Sequence, residues 1–400
     1  MNLCCFRSGE SRSPRRVAPL LAAGAVTILL AACGSSSSDT PATTAAAADT
    51  TAGAAATDAA GTSAATTPPI DTAATDTGGT TAAAGTPADT TPGEMSSLTI
   101  GYSAWPGWFP LAVADQAGIF TAAGLDVDLK YFVSYTASLD ALVAGQLDVN
   151  AQTLSDTIFA VASGADQKVI VVGDNSTGND AVICDESITS IEGLKGKTVA
   201  AEAGVVDHFL LLQGLATVGL TEDDIDFQGV VTDAAAAAFA GGQFDCAAVF
   251  APFTLQALQR PGSHVLFSSK DFPGVIPDHF VATADAAKDT VAMQKLVNAW
   301  YMTLDYIAAN PDEATKIMAD AAGLSVADYA SLADGTTIFT PEQALSAFED
   351  RPGDTTSLVE MTRRIEPFLV SSGLTKSSPD LTGLFEPSFT QAYVDDHASG

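Results

Sequence analysis

LTIGYSAWPGWFPLAVADQAGIFTAAGLDVDLKYFVSYTASLDALVAGQLDVNAQTLSDT, residues 98–157, and KTVAAEAGVVDHFLLLQGLATVGLTEDDIDFQGVVTDAAAAAFAGGQFDCAAVFAPFT, residues 197–254, follow one plan. Each opens on a strand pattern, LTIGYS or KTVAAEA, and continues through a loop into an amphipathic helix closed by a glycine, at AGIF or VGLT. A second strand follows, LDVDLKYF or IDFQGVV, and then a helix, TASLDALVA or TDAAAAAFA. Both helices end on the same four-residue device, Gly145-Gln146-Leu147-Asp148 and Gly242-Gln243-Phe244-Asp245. The glycine supplies the left-handed residue that stops a helix. VNAQT or CAAVF then gives the third strand.

Each unit therefore reads βαβαβ with short connections, which implies parallel strands joined by right-handed crossovers. Sheets of that kind bind ligands beyond the carboxyl ends of their strands. An internal repeat fixes architecture ahead of any local motif. Two units in one chain give two α/β lobes, each a mostly parallel sheet flanked by helices, with a cleft between them as the natural site.

Working outward, NDAVICDESI is expected to carry the chain from lobe one to lobe two, and PDHFVATADA to bring it back. SHVLFSS reads as a further strand of lobe two. TVAMQKLVNAWYMTLDYIAAN is a long amphipathic helix that Pro311 should stop. It and the helices after it are expected on lobe one, with Trp300, Tyr301 and Tyr306 in the packing. The expected divisions are 97–181 for the first part of lobe one, 182–278 for lobe two, and 279–400 for the rest of lobe one with the C-terminal helices.

The chain starts like an export signal. Arg7, Arg12, Arg15 and Arg16 precede the uncharged run VAPLLAAGAVTILLAA, which is too short to span a bilayer as a helix. LLAAC looks like the lipobox of bacterial lipoproteins, which makes residues 1–32 the signal peptide and Cys33 the lipid-carrying residue. From there to residue 96 the chain is Ala, Thr, Gly, Asp and Pro with almost nothing to bury, so 33–96 reads as a disordered tether. Such a coil spans roughly 45 Å, enough to hold a domain off a membrane.

The formal net charge of −31 at pH 7 argues against a nucleic-acid partner. Four scattered histidines, no HExxH and no CxxC leave a metal site or a cofactor without support. Cys184 and Cys246 each sit in an apolar strand-like run and read as two buried free thiols, although export would permit a disulfide. GLKGKT ends like a phosphate-binding loop, but Ile191 stands where that loop needs glycine and a strand follows instead of a helix. Asp207-His208 with distant serines lacks the GxSxG elbow of a hydrolase.

IGYSAWPGWFPLAVADQAGIF, GLDVDL, ALVAGQLDV, LKGKTVAAEAG, AGGQFDCAAVFAPF and DYIAANPDEA together resemble the periplasmic-type binding proteins for nitrate, sulfonates, taurine and thiamine-pyrimidine precursors. The resemblance covers most of Leu98 to Leu384. It implies a two-lobed periplasmic-binding-protein-like (type II) fold that closes like a hinge. It also implies an extracytoplasmic solute-binding component of an ABC importer, working as a monomer with a small-molecule solute, a cognate permease and a membrane reached through the lipid anchor. The cysteine-rich motif of the thiamine-precursor branch has no counterpart. An exported enzyme such as a hydrolase on the same scaffold is the alternative.

The strand-end loops of the two units give the expected ligand contacts. Lobe one contributes Ser103, Trp105 and Trp108, then Ser134 and Tyr135, then Ser155, Asp156 and Thr157. Lobe two contributes Glu202, Val205, Asp207 and His208, then Asp233, then Phe250 and Phe253. Asn179, Asp180 and Asp278 lie on the crossings. Asp233 reads better as the N-cap of the alanine helix than as a ligand contact. No Lys or Arg falls in these loops while several carboxylates do, so a neutral, zwitterionic or amine-bearing solute is expected over a bare inorganic anion.

Overall fold

The computed structural model describes residues 95–398. The expected signal peptide, Cys33 and nearly all of the tether lie outside the described residues.

In the first repeat, β1 (Ser96–Ser103) leads through α1 (Pro110–Gln116) and α2 (Ile119–Ala122) to β2 (Leu125–Phe132). Helix α3 (Tyr135–Val143), β3 (Val149–Thr153), α4 (Leu154–Ala162) and β4 (Gln167–Ser176) follow. The second sheet opens with β5 (Asp180–Cys184). The second repeat then runs β6 (Thr198–Ala201), α5 (Val206–Thr217), β7 (Asp226–Gly229), α6 (Thr232–Ala240), β8 (Cys246–Phe250) and α7 (Phe253–Ala257), and β9 (His264–Ser268) closes that lobe. Strand β10 (Pro277–Thr283) returns to the first sheet. Beyond it come α8 (Thr290–Ala309), α9 (Pro311–Ala322), α10 (Val326–Ala330), β11 (Thr336–Ile338), α11 (Pro341–Ala347), α12 (Leu358–Ser371) and α13 (Ser388–His397). Helix α8 stops two residues before Pro311, which begins α9.

The strand orders are β11-β4-β10-β3-β1-β2 in lobe one and β7-β6-β8-β5-β9 in lobe two. The repeat supplies the parallel part of each: β1 pairs parallel with β2 and β3, as β6 does with β7 and β8. Strands outside the repeat run antiparallel, β10 against β3 and β4, and β5 against β8 and β9. Each sheet is therefore mixed, with β10 and β11 in lobe one and β5 in lobe two running against the remaining strands, which share one direction. The physical reason is that the chain enters the second sheet, and re-enters the first, from the cleft edge, opposite to the direction of the repeat strands.

The repeated tetrapeptide has the same job in both lobes. Gly145 and Gly242 take φ of 69° and 78°, so the helix can close with Gln146 N–H on Ala141 O and Gln243 N–H on Ala238 O. The aspartate then reaches the strand that opened the unit. Asp148 Oδ2 accepts from Thr99 N (2.7 Å), and Asp245 Oδ2 from Thr198 N and Oγ1 (both 2.9 Å).

The chain leaves sheet one after Ser176 and joins sheet two at Asp180; it leaves sheet two after Ser268 and rejoins sheet one at Pro277. The boundaries expected after residues 181 and 278 thus fall inside strands, a few residues beyond the true crossings. The two crossings touch: Ser176 N donates to Ile276 O (2.9 Å), and the Ser176 and Ser269 hydroxyls lie 2.7 Å apart.

Cys184 and Cys246 form a disulfide, which corrects the reading of two free thiols. They face each other across the antiparallel pair β5–β8 with Cα atoms 4.1 Å apart. Pairing depended on strand register, which a separation of 62 residues does not reveal.

Helices α8, α11 and α13 pack on lobe one. Trp300 is fully buried edge-on against Phe280, and Tyr301 stacks obliquely on Tyr393. Tyr306 is only half-buried. Among the described residues no helix is long and apolar enough to cross a membrane.

Candidate functional site

The carboxyl ends of β1, β2, β3, β6 and β8 converge on a narrow cavity of about 10 Å³ between the lobes, room for about one water molecule. Lobe one supplies Ala104, Trp105 and Trp108 from the loop after β1, with Tyr135 and Thr153. Lobe two supplies Asp180, Val206 and Phe250, and the return crossing adds Ile276 and Asp278. The aromatic wall is continuous across the lobes. Trp105 touches Trp108 (6.3 Å between centroids), Trp108 touches Tyr135 (5.5 Å), and Tyr135 meets Phe250 of the other lobe edge-on (6.1 Å).

The loop SAWPGW is shaped by an acid behind it. Trp105 Nε1 donates to Asp174 Oδ1 (2.9 Å), which leaves the ring face to the cavity. A Cβ on Gly107 would lie 2.1 Å from Asp174 Oδ2, so only glycine lets the loop cross that carboxyl group. Trp108 Nε1 is buried with no acceptor.

The lobes are closed on this cavity, and carboxylates make the cross-lobe bonds. Glu202, just after β6, accepts from Thr136 N (3.2 Å) and the Thr136 hydroxyl at the start of α3 in lobe one. Its other oxygen accepts from Thr232 N (3.2 Å) and Oγ1 (2.9 Å) at the start of α6 in lobe two. Asp156 of α4 accepts from Thr153 Oγ1 (2.8 Å) and faces the Tyr135 hydroxyl and, across the cleft, the Val206 N–H that begins α5. Thr153 Oγ1 also caps α4. The N-termini of α3, α4 and α6 are therefore already bonded to the chain's own side-chain oxygens, whereas α1, α5 and α7 carry no side-chain cap. Acidic groups gather here because exposed helix N–H groups attract them.

The remaining acids have few donors. Asp180 Oδ2, Asp207 Oδ1 and Asp278 Oδ2 are buried without a hydrogen-bond partner. Burial pushes Asp156, Asp174 and Asp180 each up to about 7, and raises Asp207 and Asp278 well above the usual carboxylate range. The carboxyl groups of Asp174 and Asp278 lie against each other, and the charge of Asp174 adds to burial in raising Asp278. Among the described residues no lysine or arginine lines the cavity.

Of the residues expected from sequence, Trp105, Trp108, Tyr135 and Phe250 line the cavity, and so do Asp180 and Asp278 from the crossings. Asp156 and Glu202 are capped helix partners on the seam. Asp207 sits behind the wall with Oδ2 on Thr232 Oγ1 (2.5 Å). Ser103 is buried with an unpaired hydroxyl, and Ser155 bonds Thr153 Oγ1 (3.0 Å). Thr157 points beneath the cleft floor, to His279 Nε2 (2.8 Å). His208 faces away, bonded to Glu222 (2.7 Å) and stacked on Phe227 (4.3 Å). Asp233 does not cap α6 as expected; it is half-buried and bonds the next residue's N–H, while Glu202 caps the helix from the end of another strand. Sequence reading missed Ala104, Thr153, Val206 and Ile276 as lining residues. Thr153 was recoverable, since it matches Phe250 at the end of the third strand of the repeat; Ile276 lies outside the repeat and carried no signal.

Two lobes of repeated topology, joined by paired crossings and closed over an internal cavity, define a solute-binding fold. The chain belongs to the NMT1-like family, whose model matches residues 91–322. It is 28% identical over 258 residues to a binding protein of Brucella abortus (strain 2308), covering 63% of this chain and 79% of the relative. An aliphatic sulfonates-binding protein of Escherichia coli (strain K12) is 26% identical over 221 residues, 54% of this chain and 69% of the relative. The fold superposes on the alkanesulfonate-binding protein of Xanthomonas axonopodis pv. citri bound to MOPS, with a TM-score of 0.62 at 20% identity, covering 73% of this chain and 99% of that one.

Proposed function

We propose that this chain is the extracytoplasmic solute-binding component of an ABC importer, which captures a small nitrogen- or sulfur-containing solute by closing two lobes and delivers it unaltered to a cognate permease. The observation that carries this reading is the aromatic cavity closed by the bonds from Thr136 to Glu202 between the lobes, around crossings that touch at Ser176 and Ile276. The crossings, at residues 177–179 and 269–276, would serve as the pivots. Closure requires a ligand that binds the closed form better than the open one. The family and the relatives' names support the same reading.

The sequence preceding the domain suits export and anchoring through Cys33, which would hold the binding lobes at the outer face of the cytoplasmic membrane as a monomer. Small-angle scattering with a thermal-shift screen of nitrate, sulfonates, taurine, amines and pyrimidines tests the binding reading. A true solute lowers the radius of gyration and raises the melting temperature. A solute that is chemically changed on incubation would overturn the reading. Cys33→Ala tests the anchor, because the variant should leave the membrane fraction; retention there would exclude it.

A further inference from the structure

The cleft holds a paradox for a protein whose relatives are named for sulfonates. An anion in a closed pocket needs a cation, or the free N–H groups of a helix N-terminus. Among the described residues no lysine or arginine lines this cavity. Three helix N-termini are taken, by Glu202 on α3 and α6 and Thr153 on α4, and Asp156 faces the start of α5. The chain thus fills with its own side-chain oxygens several of the positions where an acidic ligand would find donors.

What the cavity leaves open is acceptor capacity. Asp180 and Asp278 line it from opposite sides of the hinge, are 2% and 1% exposed, and each has an oxygen without a donor. Asp174 and Asp207 stand directly behind, also with unpaired buried oxygens. An unpartnered buried carboxylate is costly, and a ligand that supplies charge and donors removes that cost. Aromatic faces flank these oxygens, and ring faces attract cations too.

Resting on the solute-binding reading, we propose that the cleft selects a small organic cation bearing N–H donors, a protonated amine or an amidinium, with Asp180 and Asp278 accepting from the charged nitrogen and Trp105, Trp108, Tyr135 and Phe250 enclosing its apolar body. The unpaired Trp108 Nε1–H can serve one acceptor atom elsewhere on the same molecule. A quaternary ammonium has the charge but no N–H to give, so it satisfies the rings and leaves the carboxylate oxygens unpaired.

The test uses the full chain at pH 8 and probes that share a skeleton: benzylamine, benzamidine, benzyltrimethylammonium and phenylmethanesulfonate, with propylamine and propanesulfonate as a smaller pair. Titration calorimetry, melting temperature and scattering are read together. The amines and the amidine should bind, raise the melting temperature and compact the molecule. The quaternary ion should bind at least about 10-fold more weakly. The sulfonates should do nothing. Asp180→Asn with Asp278→Asn should cost about 100-fold in amine affinity. Asparagine mimics the protonated acid, so this variant should fold with a melting temperature at or above that of the parent; the single Asp180→Asn, with a smaller loss, is the check. A sulfonate binding as tightly as its amine, or amine affinity untouched by the double variant, overturns the cation assignment and leaves solute binding standing. If no probe binds or compacts the chain, both readings fall.

Discussion

On the outer surface, Asp350 meets Arg363 through two contacts of 2.6 Å, Asp224 meets Lys195 at 2.9 Å, and Asp285 meets Lys288 at 2.6 Å. Each of those carboxyl groups is held below the usual range, chiefly by hydrogen bonds from its partner. Between the lobes, Asp156, Asp174 and Asp180 are pushed up to about 7 by burial, and their charged neighbours are other acids. The same residue type is thus a paired, solvated group in one region and a nearly neutral acid in the other. The excess of 48 acids over 17 bases in the chain says little by itself about the ligand. The few acids of the second kind say a great deal, because only they must be satisfied without water.

The comparison breaks most visibly under a change of pH. A carboxyl group raised on closing holds its proton in the closed, empty state and has lost it in the unfolded chain above about pH 4. Its contribution to the closed state is therefore complete at low pH and disappears as pH rises through about 7. At about 1.4 kcal/mol per pKa unit, even one such group is worth about 3 kcal/mol between pH 5 and pH 8. The ligand-free chain should melt at a lower temperature, or scatter as a larger particle, at pH 8 than at pH 5. Flat profiles in both measurements would mean that the cleft acids are paired in solution.

Within the cleft, carboxylates with donors should behave unlike those without. Glu202→Ala strips the caps of α3 and α6 together and removes a bond between the lobes, so a loss of about 2 kcal/mol is expected in denaturant unfolding. Asp278→Asn should act in the opposite direction at pH 8, raising ligand-free stability by about 1 kcal/mol, because asparagine is neutral folded and unfolded, whereas the aspartate must take up a proton on burial. If both substitutions destabilise alike, the division into capping and ligand-facing acids is wrong. The smallest effect belongs to the surface. Asp350→Asn breaks an exposed pair with Arg363 and should leave the melting temperature where it was.

Much of this molecule was legible before any coordinates. The repeated GQxD device announced two βαβαβ units, and the loops after their strands pointed to Trp105, Trp108, Tyr135 and Phe250, because a strand's carboxyl end is fixed by its own sequence and direction. The mixed sheets were not legible, since β5 and β10 take their direction from the crossing rather than from any pattern within them. The Cys184–Cys246 bond was missed because it depends on register between strands 62 residues apart. His208 and Thr157 were placed in the right loops and then turned away by partners, Glu222 and His279, that no spacing predicts.

Sequence alone determined the two lobes, the order of their elements, the wall of rings and the lack of basic residues near it, all of which follow from periodicity, turn chemistry and composition along the chain. Which acid does what was decided only in three dimensions. Asp156, Asp180, Glu202 and Asp278 are chemically similar, and nothing local separates them. Glu202 meets helix N–H groups of both lobes and Asp156 faces the start of α5, whereas Asp180 and Asp278 each keep an oxygen without a donor. That difference arises from closing one lobe on the other, and a carboxylate's energy depends on the donors that closure brings within reach.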